Sequence, residues 1–115
     1  MNYTTVHLAS GSHKTRVELR RFSRDPNLRL AIVNEASVVN PEVATLAKNA
    51  DAVVVVVGFD PMSESEGSDR TFPLPPGQDA LIQATLASNK NVVVVITSGG
   101  GIDMNAWLDR VPAVL

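Results

Sequence analysis

The chain has no cysteine. A disulfide framework, thiolate metal sites and a cysteine nucleophile are excluded, although the compartment is not thereby identified. It also has little length: 115 residues fit one small domain or parts of two, and leave no room for a large enzyme. Long apolar runs are missing as well. The longest aliphatic stretches, Ala52 to Val57 and Val92 to Ile96, are far shorter than a bilayer span, so no membrane partner is expected. The N-terminal Met-Asn-Tyr-Thr-Thr-Val-His has neither a basic n-region nor an apolar h-region, and no signal peptide is visible. The compartment stays open between cytoplasm and, within a longer protein, periplasm or exterior. Net charge is small too. Ten basic and twelve acidic side chains give −2, and nothing in that total points to a nucleic-acid partner. What is present is 44% hydrophobic and 19% charged, with seven Gly and seven Pro, the composition of a globular chain.

The small total hides an uneven division. Residues 1–36 carry six basic side chains against three acidic, and residues 37–115 carry four against nine. A basic head therefore precedes an acidic body. A basic arm for nucleic acid is one reading of such asymmetry, but the head's charges alternate with apolar residues. In Lys14-Thr-Arg-Val-Glu-Leu-Arg20, Thr15, Val17 and Leu19 fall on one face and the charges on the other, the pattern of a half-buried antiparallel strand. Tyr3 to Leu8 and Leu28 to Val33, separated from it by Gly-Ser-His and Asp25-Pro-Asn turns, read as two more strands. Three strands make a marginal sheet with two open edges, so the head reads as a piece of a β-structure.

From residue 40 the period changes. Asn40-Pro41-Glu42 reads as a helix start, with Val43, Leu46, Ala47 and Ala50 as its apolar face. Ala52 to Val57 is an unalternating β-branched run typical of a strand buried on both faces. A long loop from Gly58 to Pro76 leads to a second helix over about 77–88, with Leu81, Ile82, Thr85 and Leu86 inward. Val92 to Ile96 repeats the first strand, a short helix is expected around Asn105 to Leu108, and Val111 to Leu115 reads as a third strand that stops early. This order predicts an α/β fold, an open mainly parallel sheet with flanking helices preceded by the short antiparallel β segment. Chemistry is expected outside the carboxyl ends of the strands, where Gly58–Pro76 and Ser98–Asp103 share a rim.

The first rim loop is long for a βα connection. Ser63-Glu-Ser-Glu-Gly-Ser-Asp-Arg70 packs three carboxylates and one guanidinium into eight residues. Acids this close repel, so at least one could keep its proton near neutral pH and act as a general acid. A solvated acidic loop has the same composition. Gly67 permits a sharp turn or the close approach of a ligand. No EF-hand spacing is present, and no metal is expected. Ser98-Gly-Gly-Gly101 suits a phosphate cradle or a tight turn, but lacks the full dinucleotide and P-loop spacings. Asp103 suits a helix cap. His7 and His13 have no partners at metal spacing, and Trp107 reads as core rather than as a sugar platform.

Taken in order, these residues resemble a known family. Asp51-Ala-Val-Val-Val-Val-Val-Gly58, Glu64-Ser-Glu-Gly-Ser-Asp-Arg70, Leu74-Pro, Gln78 and Leu81 are similar to the C-terminal α/β domain of glycoside hydrolase family 3, the β-glucosidase and β-xylosidase group. Val92-Val-Val-Val-Ile-Thr-Ser-Gly-Gly100, Asp103-Met104, Trp107 and Val111 to Leu115 continue the likeness. The head, through Val6-His-Leu-Ala-Ser-Gly, Arg16-Val-Glu-Leu-Arg and Asn27-Leu-Arg-Leu, resembles the last strands of a protective-antigen-type β-sandwich that some members carry as an insert. The resemblance divides the chain into residues 1–36, the end of that insert, and residues 37–115, part of the α/β domain.

It also implies an activity. Members are retaining glycosidases that cleave β-linked glucosides or related glycosides and need no cofactor. Their nucleophile is an Asp in a preceding barrel domain, and their acid/base is the Glu of a Glu-Gly-x-Asp-Arg motif, here Glu66. Glu64 is the competing assignment. Glu64, Asp69 and Arg70 are expected to shape the loop or contact substrate, Arg70 by orienting a carboxylate. With no barrel in the chain, the resemblance implies a fragment inactive alone. Two other readings stand beside it: a non-catalytic α/β module that binds a carbohydrate or a partner, and nucleotide binding at Gly99 to Gly101, for which no lysine or ribose-binding acid is in place.

Overall fold

The computed structural model describes residues 4–18, 30–61, 63–67 and 70–115. They include helix α1 (Glu42–Lys48), strand β1 (Val53–Gly58), helix α2 (Gln78–Ser88), strand β2 (Val92–Thr97) and the two-residue strand β3 (Ala113–Val114). The strands form one parallel sheet in the order β1-β2-β3. Val53 pairs with Val92 and Gly58 with Thr97, so β1 and β2 run in register along their whole length. The fold expected of an open parallel α/β sheet is present. Among the described residues no helix is long and apolar enough to cross a membrane.

Each element follows from local chemistry. The Asn40 side chain accepts the Glu42 amide at 2.9 Å, which satisfies a free donor at the start of α1. Asn89 and Asn91 close the other end of the sheet. Asn89 Nδ2 donates to the carbonyls of Ala47 and Ala50, at 2.7 and 2.8 Å. Asn91 Nδ2 donates to Asp51 O at 3.0 Å. The turn before β2 is thereby tied to the turn before β1. The core gathers Val55, Val57, Leu74, Ile82, Val92, Val94 and Trp107 on one face of the sheet. Trp107 is 1% exposed and donates its indole N–H to Asp79 Oδ1 of α2 at 2.7 Å, the partner a buried indole requires. The core reading of Trp107 holds, and Ile82 and Thr85 of α2 are buried as expected.

Four expectations are corrected. β1 is not buried on both faces: Val55 and Val57 are buried, whereas Val54 and Val56 are 62% and 66% exposed. A parallel strand is hidden from solvent on both faces only where helices cover both, and here α1 packs on α2 and α2 packs on β1 and β2. The apolar stripe of α1 is likewise half covered, with Ala47 buried and Leu46 and Ala50 exposed. The short helix expected around Asn105 to Leu108 is a turn followed by a 3-10 helix at Leu108–Arg110.

The fourth concerns the head. The described residues 4–18 and 30–34 form no strand, and Val6, Leu8, Val17, Leu30, Ile32 and Val33 are exposed. The expected antiparallel β segment is therefore not formed among them. Alternation fixes which side chains share a face, but a strand forms only against a partner, and two-stranded or three-stranded pieces without a covered face are marginal. Leu19 and the Asp25-Pro-Asn turn lie outside the described residues.

Candidate active site

The two rim loops leave β1 at Gly58 and β2 at Thr97, which are register partners. Phe59 N donates to Thr97 O at 2.9 Å and fixes the roots of both loops side by side. Gln78 clasps the same point. Its Nε2 donates to Gly58 O at 2.8 Å, and its Oε1 accepts the Gly58 amide at 2.7 Å. Above this base, Asp60 and Ser63 close a tight turn: the Ser63 amide and hydroxyl donate to Asp60 Oδ1 at 2.8 and 2.7 Å. That turn delivers Glu64.

Glu64 spends both carboxylate oxygens on protein donors. Oε1 accepts from Arg70 Nε at 2.5 Å, and Oε2 accepts the Gly99 amide at 2.8 Å. Arg70 continues the link: Nη2 donates to Ser98 Oγ at 2.7 Å and to Gly101 O at 3.0 Å, and Nη1 to Thr71 O at 3.1 Å. Its guanidinium lies 4.0 Å from the centre of the Phe59 ring, within cation–π range. The Arg70 and Glu64 side chains are 12% and 27% exposed, so the pair is shielded more than a surface bridge. The ion pair of the first loop is bolted to the second through the Gly99 amide, the Gly101 carbonyl and the Ser98 hydroxyl. Beside the bolt lies a cleft of about 370 Å³, lined among others by Phe59, Arg70, Leu74, Gln78 and Thr97.

At Glu64 electrostatics run opposite to what crowded acids suggest. The Arg70 hydrogen bond, then the Gly99 amide, hold its carboxyl below the ordinary carboxylate value, and these outweigh desolvation. A carboxylate with a lowered folded pKa stabilises above its unfolded value, near 4.5, and that contribution fades as pH falls through the folded value. Urea midpoints followed from about pH 6 down to about pH 3 are therefore expected to drop more steeply in the wild type than in Glu64→Gln. Parallel curves would remove Glu64 from the acid response.

The other predicted residues fall as follows. Glu66 is exposed on the loop, followed by Gly67 at φ +76°, which makes the sharp turn, with open space where a side chain would stand. Asp69 lies outside the described residues. Asp103 accepts the Asn105 amide at 3.0 Å, a local cap. The Gly99 amide of the proposed phosphate cradle is committed to Glu64, and Ser98 Oγ takes the Gly100 amide at 3.4 Å. The nucleotide reading fails there because protein acceptors occupy the donors. His13 Nε2 is 2.8 Å from Ala9 O, and no group of His, Asp and Glu suited to a metal occurs among the described residues. Phe59 is not singled out by the sequence, and Ser98 only as the first residue of the Gly-rich turn. The usable signal was Arg70 itself, whose five donors demand acceptors wherever it is shielded.

An open parallel sheet whose acidic carboxyl-rim loop is locked to a Gly-rich turn defines an α/β domain with both loops on one rim. The chain belongs to the glycosyl hydrolase family 3 C-terminal domain family, whose profile matches residues 4–115. It is 35% identical over 91 residues to an exo-alpha-(1->6)-L-arabinopyranosidase of Bifidobacterium longum, a match covering 78% of this chain and 12% of that protein. It is 47% identical over 70 residues to the probable beta-glucosidase J of Aspergillus fumigatus, covering 60% of this chain and 8% of that one. Among solved structures, a beta-glucosidase from Kluyveromyces marxianus in complex with glucose superposes with a TM-score of 0.62 at 32% identity, over 73% of this chain and 10% of that one. The chain thus spans about a tenth of the length of these relatives. Family and α/β fold agree with the reading made from the residues.

Proposed function

We propose that this chain supplies the acid/base loop of a retaining β-glycosidase, acting on β-linked glucosides or related glycosides, with Glu66 as the general acid/base. The observation that carries the reading is the division of labour between the two loop glutamates. Glu64 has both oxygens engaged and its carboxyl held ionised, which unsuits it to deliver a proton. Glu66, two residues on, is exposed on the rim and occupies the Glu of the Glu-Gly-x-Asp-Arg pattern. A retaining mechanism needs a protonated carboxyl about 5 Å from a second, ionised one. The second is assigned to an Asp of a partnering barrel domain. Glu66 protonates the leaving oxygen as that Asp attacks the anomeric carbon. It then takes a proton from a water that attacks the anomeric carbon, the bond to the Asp breaks, and the sugar is released with the Asp again a carboxylate. No cofactor enters either step.

The domain division belongs to the same proposal. Residues 37–115 form the α/β part, and residues 1–36 are the end of a protective-antigen-type sandwich. The exposed Val6, Leu8, Leu30, Ile32 and Val33 support this, since the remaining strands of a sandwich would cover them. Hydrolysis of an aryl β-glucoside tests the function. The chain alone is expected to show no turnover, and the chain joined to a family 3 barrel domain is expected to regain it. Sugar binding without turnover in both forms would favour the non-catalytic module instead.

A further inference from the structure

We propose that Glu64 is a positioning residue for the acid/base: clamped between Arg70 and the Gly99 amide, it sets where Glu66 stands over the rim. This rests on the reading of Glu66 given above. The chain path is short and constrained. Only Ser65 separates the two glutamates, and the Asp60–Ser63 turn fixes the approach to Glu64 from the other side. Without an anchor, a βα loop of this length would sample many conformations at small cost. The anchor is built from both rim loops at once. Glu64 and Arg70 come from the first loop, and Ser98, Gly99 and Gly101 come from the second. Side chains at the Gly99 and Gly100 positions would press on the clamp, since a Cβ there would stand 3.3 Å from Glu64 Oε1 and 3.3 Å from Arg70 Nη2. The glycine run therefore serves close approach of the ion pair rather than an anion ligand.

The arrangement assigns distinct tasks to charge and shape. Arg70 neutralises Glu64 and, through Nη2, reads the Ser98 hydroxyl and the Gly101 carbonyl. Lysine would keep the charge but cannot reproduce this planar fork. Glutamine at position 64 keeps the size but loses the ionic attraction. Each substitution should leave the sheet intact and release the loop.

Two measurements on Glu64→Gln and Arg70→Lys test the proposal. In the 115-residue chain, hydrogen exchange of the Gly99 amide is expected to rise at least about tenfold while β1 and β2 amides keep their protection. With the barrel joined, kcat for an alkyl β-glucoside is expected to fall about 10–100-fold with KM little changed. A dinitrophenyl β-glucoside, whose leaving group needs no proton, is expected to lose far less in its glycosylation step. Recovery of the alkyl rate in Glu64→Asp relative to Glu64→Gln would support the ionic anchor. Equal losses on both substrates, or unchanged Gly99 exchange, would overturn the proposal while a normal leaving-group effect in Glu66→Gln left the acid/base reading standing. No leaving-group effect in Glu66→Gln would sink the acid/base reading and this proposal with it.

Discussion

In the chain joined to a barrel domain, Glu66→Gln lowers kcat/KM for an alkyl β-glucoside by about 10²–10⁴-fold, the range over which a placed general acid acts. The loss is expected to depend on the leaving group. An alkoxide leaves poorly without a proton, so the first step slows; a dinitrophenolate leaves unaided, so its first step persists and the glycosyl-enzyme accumulates. Azide attacks that intermediate without having to lose a proton, so adding it restores turnover and yields a glycosyl azide of retained configuration. The matching experiment on Glu64→Gln separates the two carboxylates. Glu64 is tied to Arg70 and Gly99, so its loss disturbs position and azide brings no recovery. Azide rescue in Glu64→Gln with none in Glu66→Gln would reverse the assignment.

How far the sequence reveals this site differs from residue to residue. Val53 to Val57 and Val92 to Ile96 are recognisable as strands because β-branched runs of that length, bracketed by Asn and Gly, have few other stable conformations. Which of their faces is covered is not written in them. Val54 and Val56 are exposed because coverage depends on what packs against the sheet, not on the strand's own residues. The head shows the same limit: Thr15 and Val17 alternate correctly, yet alternation without a partner yields no ladder. At the rim, Glu66 and Arg70 stand out through a local motif. The Glu64–Arg70–Ser98 link does not, because Arg70 and Ser98 are 28 residues apart and only the parallel register of β1 and β2 brings their loops together. Crowded acids suggested a raised pKa, since a sequence shows the like charges but not the guanidinium and amide that reach one of them.

That register rests on Gly58, and Gly58→Ala is expected to produce the largest loss of stability in the chain. Gly58 has φ +142°, a region that is costly for a residue with a Cβ, by about 1–3 kcal/mol. Strain is the smaller part. A Cβ built on Gly58 would stand 2.1 Å from Thr97 O and 2.8 Å from Thr97 C and N. The obstacle is backbone, so no side-chain rotation relieves it. To make room, the end of β1 must move from β2, which breaks the Phe59 N to Thr97 O bond. The same movement pulls both Gly58 polar groups from Gln78, at about 1–3 kcal/mol for each group left unpaired. We expect a total loss of at least about 3 kcal/mol in urea unfolding of the 115-residue chain, a large part of the roughly 5–15 kcal/mol that holds a domain of ordinary stability folded. Gly67→Ala is the control for backbone conformation alone. Its φ is +76° and its Cβ would meet nothing within 4 Å, so only the left-handed penalty of about 1–2 kcal/mol applies. Equal losses at the two glycines would show that Thr97 yields to the added methyl. The register at the carboxyl rim, and with it the placement of both loops, would then have to be held by the Gln78 clasp rather than by the bare backbone contact.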